Sequence, residues 1–168
     1  MKKLVALAVG ILIGSFLTSV HAQENVSFPD ESDLFFALES GVRIDLVDAL
    51  DEVLNKFGEP VRKSISEDSY HVGVEYAVFA YDKFVVAYFD DLETMLGTWI
   101  RSPSIRSSRG VQVGDPARKI IDTYGRPTFQ SENRISYAVI VRELDFTASL
   151  AFDVNDDVVV QMSMSVAW

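Results

Sequence analysis

The polar and apolar positions of this chain change period twice. From Val42 to Pro60, "VRIDLVDALDEVLNKFGEP", and from Gly110 to Pro127, "GVQVGDPARKIIDTYGRP", apolar residues recur at helical spacing. Setting Phe57-Gly58-Glu59-Pro60 against Tyr124-Gly125-Arg126-Pro127 aligns the two stretches at a constant offset of 67 positions. Ile44 then meets Val111, Leu46 meets Val113, Asp48 meets Asp115, Val53 meets Ile120 and Leu54 meets Ile121, with nothing inserted. Each copy predicts a short amphipathic helix with one buried stripe. Asp115 is the expected N-cap of the second helix, with Pro116 at its first position. Asp48 is the corresponding cap of the first, unless Asp45 starts it one turn earlier. Gly58 and Gly125 suit the left-handed residue that stops a helix, and Pro60 and Pro127 forbid continuation. Both glycines follow their helix instead of preceding it, so neither belongs to a phosphate-cradling loop.

After each helix the period becomes two. Phe146, Ala148, Leu150 and Phe152 alternate with Asp145, Thr147, Ser149 and Ala151. Val158, Val160, Met162, Met164 and Val166 follow the same rule. These are half-buried antiparallel strands, joined by the turn Asn155-Asp156-Asp157. Residues 128–133 and 135–142 predict two earlier strands, and the first half shows a like series over 61–66, 70–81, 84–90 and 94–101. The expected fold is therefore α+β: two tandem helix–four-stranded antiparallel meander repeats, with the helices packed on one face of the sheet. The boundaries are a signal peptide at 1–22, an N-terminal unit at 23–101, a polar connector at 102–109 and a C-terminal unit at 110–168. Residues 28–41 predict a short helix or strand packed on the first unit.

The signal segment changes the picture of compartment. Lys2 and Lys3 precede an apolar run from Leu4 to Leu17 that closes on Val20-His21-Ala22. This is the layout of a secretory signal, and the run is short for a membrane span, which needs about 20 apolar residues. A periplasmic or secreted protein is expected, with no membrane insertion after cleavage. The chain has no cysteine. That removes disulfides and N-terminal lipidation, so it is not a lipoprotein, and leaves stability to apolar burial. Residues 23–98 hold 17 acidic and 5 basic residues, whereas 99–168 hold 8 of each. So acidic a chain is not expected to bind nucleic acid.

Candidate chemistry is sparse. Outside the signal segment His71 is the one histidine, so a histidine-centred triad or zinc site has nothing else to build on. Asp153-x-Asn155-x-Asp157 begins like a calcium loop, but Val158 stands where glycine is needed and Met164 where glutamate is needed. Neither an enzyme nor a cofactor or metal is expected.

The informative feature is the second face of each sheet. If Tyr76, Val78, Val85, Ala87 and Phe89 point at the helix, the other face carries Phe79, Tyr81, Phe84, Val86, Tyr88 and Trp99. The matching face of the second unit carries Thr147, Ser149, Ala151, Gln161, Ser163 and Ser165. Exposed Tyr and Trp are typical interface anchors. Phe79, Tyr81, Phe84, Tyr88 and Trp99 are thus the candidate binding residues, unless the segment around Phe35 and Phe36, or a second copy in a homodimer, covers them.

The helix closed by Gly-x-Pro, at Gly110–Pro127 and more loosely at Val42–Pro60, followed by a meander, resembles two exported groups. They are the tandem-repeat beta-lactamase inhibitor proteins and the single-repeat BamE (SmpA/OmlA) outer-membrane assembly lipoproteins. The departures are the absent lipidation cysteine and the absent disulfides. The resemblance implies a module that binds another envelope or secreted protein, as an inhibitor or an assembly accessory. The alternatives are a small eight-stranded outer-membrane barrel, suggested by the ending "VVVQMSMSVAW", and a small-ligand binder in the sheet cleft.

Overall fold

The computed structural model describes residues 26–67, 75–89, 92–142 and 145–167. The signal segment, His71, the Asp90-Asp91 turn and Trp168 lie outside the described residues.

Two short strands, β1 (Phe35–Leu38) and β2 (Arg43–Asp45), precede helix α1 (Leu50–Phe57). Then come β3 (Arg62–Glu67), β4 (Glu75–Ala80), β5 (Phe84–Tyr88), β6 (Met95–Ile100) and β7 (Ile105–Ser107). Helix α2 (Ala117–Tyr124) leads into β8 (Phe129–Gln130), β9 (Arg134–Val141), β10 (Phe146–Asn155) and β11 (Val158–Ala167). Eight strands form one antiparallel sheet in the order β3-β4-β5-β6-β11-β10-β9-β8, and β2-β1-β7 form a second. β3 and β8 are the edges of the large sheet, so it stays open and does not close into the barrel that the strand count allowed.

This overturns the expected α+β fold of two tandem helix–meander repeats. Among the described residues the chain is mostly β, with two eight-residue α-helices. Each helix is about 12 Å long, whereas a ten-residue strand such as β10 runs about 33 Å. Two helical turns cannot cover four strands, so a second sheet completes the cover. It recruits β7 from the stretch expected to be a polar connector, with Phe36 opposite Ser107 and Leu38 opposite Ile105. Nor do the strand sets match, since β8 has two residues where β3 has six.

Both helices and the small sheet lie on the same side of the large sheet. Phe36, Ile44 and Ile105 join Val53, Ile120 and Tyr124 in one fully buried core with Tyr88, Ile100, Leu150, Phe152 and Met162. The helices end as the glycines predict. Gly58 and Gly125 take φ values of 75° and 74°, and their N–H groups donate to Leu54 and Ile121 carbonyls at 2.8 and 2.9 Å.

The starts differ from expectation. The N-cap residues are Ala49 and Pro116. The Asp48 carboxylate instead accepts from the Asp45 N–H at 3.0 Å and from Lys56 Nζ at 2.7 Å. Asp115 does the same with Gln112 N–H and Lys119 Nζ, both at 2.8 Å. Each aspartate closes the turn before its helix, and a lysine on that helix neutralises it. The β10–β11 connection is a two-residue turn in which Asp156 and Asp157 both have positive φ, 48° and 60°, between the paired Asn155 and Val158. Asp153 stands back on its strand, bonded to Arg134 and Gln161, so the calcium-like spacing is a hairpin, as expected.

Candidate functional site on the open sheet face

The junction of β6 with β11 decides which side chains face out. Thr98 pairs with Met164 and with Val86, so all three point at the helices. Trp99 pairs with Ser163 and with Val85, and Val85 with Ala80, so these point away. Strand alternation then carries Phe79, Phe84 and Tyr88 into the core, where they are 7%, 5% and 0% exposed.

The expected binding set therefore does not share an open face. Phe84 packs edge-on against Phe57 of α1, with ring centroids 4.9 Å apart. Tyr88 donates its hydroxyl to the Asp48 carbonyl at 3.0 Å, and Phe79 packs edge-on against Tyr88. Tyr81 stacks on Phe84 at 4.6 Å and donates to the Gly58 carbonyl at 3.2 Å. Trp99 alone of the five faces out. Conversely Val78, Val85 and Ala87, expected against the helix, are on the open side with Tyr76. The cause is a slip of one residue, which exchanges the two faces of a strand. Tyr76-Ala77-Val78 echoes Tyr137-Ala138-Val139 in letters, but Tyr137 is buried while Tyr76 is half-buried and pairs with Ser66 on the edge strand β3.

Around Trp99 the open face is built mostly from small residues, with Tyr76 on β4 and Phe129 on β8 as further large side chains. One cross-strand row reads Arg62, Ala80, Val85, Trp99, Ser163, Ala151 and Ser136. The next reads Ser64, Val78, Ala87, Gly97, Ser165, Ser149 and Ala138. A β-carbon on Gly97 would stand 2.9 Å from the Met164 carbonyl oxygen and 3.1 Å from Cη2 of Trp99. The indole therefore lies back over its own strand, in space that only glycine leaves open.

On the other side of Trp99 runs a polar row. Arg101 Nε donates to Gln161 Oε1 at 2.7 Å, and Gln161 Nε2 donates to Asp153 Oδ2 at 2.8 Å. Arg134 completes it by donating to Asp153 Oδ1 at 2.6 Å. Between this row and the β4–β5 turn lies a depression of about 660 Å³, lined by Asp82, Lys83, Val85, Trp99, Arg101, Ser102 and Gln161 and bordered at the turn by the stacked rings of Tyr81 and Phe84. Sequence reasoning placed Gln161 on this face and missed Lys83 and Val85. It placed Arg101 only at the end of the strand 94–101 and gave it no role, since nothing local shows that β6 runs beside β11.

No family model matches the chain, and no curated protein matches it. Among solved structures, it is similar to an extracellular protein containing a SCP domain from Bacillus anthracis. The identity is 15% and the TM-score 0.47, over 71% of this chain and 44% of that one. The chain thus spans less than half the length of that relative. It is also similar to a candidate beta-lactamase inhibitor protein from Streptococcus mutans. There the identity is 9% and the TM-score 0.32, over 86% of this chain and 93% of that one. Neither likeness gives a residue of the open face a role.

Proposed function

We propose that the protein is an exported, non-enzymatic binding module that docks another envelope or secreted protein on the open face of its eight-stranded sheet, as an inhibitor or an assembly accessory. One observation carries the reading. Among the described residues all the covering elements lie on one side of the sheet, and the other side presents Val78, Val85 and a partly exposed Trp99 among Ala, Gly and Ser. The solvent side of an antiparallel sheet is ordinarily polar, and tryptophan is over-represented among residues that dominate interface energy. The signal-like layout of residues 1–22 supports export.

The test is site-specific photo-crosslinking in the source cell. A benzophenone side chain would replace Val85 on the open face or Arg118 on the exposed side of α2. A discrete protein adduct formed from position 85 and not from 118, and lost with Trp99→Ala, supports the reading. Adducts formed equally from both positions, or from neither, remove the open face as a docking surface.

A further inference from the structure

We infer that the depression beside Trp99 is a carboxylate subsite: it takes an acidic segment of the protein partner, with a carboxylate between Lys83 and Arg101 and a neighbouring apolar side chain on Trp99 and Val85. The inference rests on the docking face proposed above and names the chemistry that this end of it selects.

Unused positive charge is the first argument. In residues 23–98 acidic residues outnumber basic ones 17 to 5. Arg43, Lys56 and Lys63 each pair with a carboxylate there, at Asp45, Asp48 and Glu59. Arg62 and Lys83 form no ion pair among the described residues, and neither does Arg101. Arg62 lies away on the edge strand β3, which leaves Lys83, the neighbour of Asp82, and Arg101. Both line the same depression. Asp82 is the single acidic residue of that lining, so the cations outnumber it there.

Orientation is the second argument. Only Nε of Arg101 is engaged, by Gln161, which Asp153 and Arg134 hold in turn. The terminal guanidinium nitrogens remain available, in the planar fork that matches a carboxylate with two parallel hydrogen bonds. Gln161 is thus a positioning residue. The floor beside this fork is apolar, formed by Trp99 and Val85. The volume, about 660 Å³, lies within the roughly 300–1,000 Å³ of pockets that enclose a small group.

The test uses the ¹⁵N-labelled protein and two capped hexapeptides that differ only in charge, one carrying Glu-Leu-Glu and the other Gln-Leu-Gln. The readout is the Trp99 indole N–H resonance, identified by its loss in Trp99→Phe. The acidic peptide is expected to shift it saturably. Binding should weaken by about tenfold or more for the neutral peptide and for Lys83→Ala/Arg101→Ala, whose exposed positions leave the core intact. Gln161→Leu should weaken the acidic peptide alone, by about threefold to tenfold. Equal shifts by both peptides would overturn the carboxylate subsite and leave the docking face standing. Inorganic phosphate giving the same saturation at the same concentration would also overturn it, by showing a general anion site. No shift with either peptide, beside a position-85 adduct in the cell, would remove this inference alone.

Discussion

Arg109 closes a two-pronged ion pair on Asp33, 76 positions earlier in the chain, with Nε 2.9 Å from Oδ1 and a terminal nitrogen 2.6 Å from Oδ2. The same guanidinium donates to the Ser27 and Phe28 carbonyls at 2.6 and 3.2 Å. One side chain after β7 thus ties down the segment that leads into β1. Burial pushes the Asp33 carboxyl up, but hydrogen bonds from Arg109, Ser108 and the Asp30 N–H outweigh it and hold the group below its ordinary value.

That depression sets a pH dependence. Asp33 stabilises the fold above the ordinary carboxylate pKa of about 3.9, and the contribution is lost as pH falls through the lower folded value. Asp33→Asn is expected to cost about 2–3 kcal/mol near neutrality, because it leaves Arg109 half-buried without a counter-charge. The difference in Tm between Asn and native protein should shrink below about pH 4. A difference that stays constant into acid would mean the pair contributes no ionic stabilisation.

Gly97→Ala is expected to destabilise by about 1–3 kcal/mol and to displace the indole of Trp99. The new methyl would meet a backbone carbonyl on one side and that ring on the other. Chemical denaturation measures the cost, and the emission maximum of Trp99, read in a Trp168→Phe background, reports the displacement. An unchanged spectrum with unchanged stability would contradict the close approach.

Tyr88 and Trp99 should behave oppositely. Tyr88→Ala empties a fully buried site and should cost about 3–5 kcal/mol. Trp99→Ala, on the open face, should cost less stability while abolishing crosslinking from position 85. The phenols of Tyr88 and Tyr137 are pushed up, chiefly by burial. Their contribution is complete below the ordinary phenol pKa of about 10 and falls as pH rises beyond it. Tyr88→Phe should therefore reduce alkaline destabilisation above pH 10, read as Tm against pH.

At the β10–β11 turn, Asp157 holds a φ of 60°. Glycine adopts that conformation without the steric cost an L-residue carries, and an Asp-Gly pair is a preferred two-residue hairpin turn. Asp157→Gly is expected to raise stability by about 0.5–1 kcal/mol. Urea unfolding is the measurement, and a loss of stability would argue against this turn geometry.

Local chemistry was enough to place the short-range features. The 3.6-residue stripe and the Gly58 and Gly125 stops locate both helices, and alternation locates the long strands and the Asp156-Asp157 turn, because each depends on a few adjacent residues. It was not enough for the faces or the cover. Phe84-Val85-Val86-Ala87-Tyr88 is apolar on both sides, so no pattern within β5 chooses between them. Only the pairing of Trp99 with Ser163, across 64 positions, makes that choice. Likewise Ile105-Arg106-Ser107 reads as connector until Phe36-Ala37-Leu38 lies beside it. Backbone hydrogen bonding between distant strands sets the parity of every side chain on them. That is why the core aromatics Phe79, Phe84 and Tyr88 and the outward-facing, partly exposed Trp99, so alike in sequence, part company only in the tertiary structure.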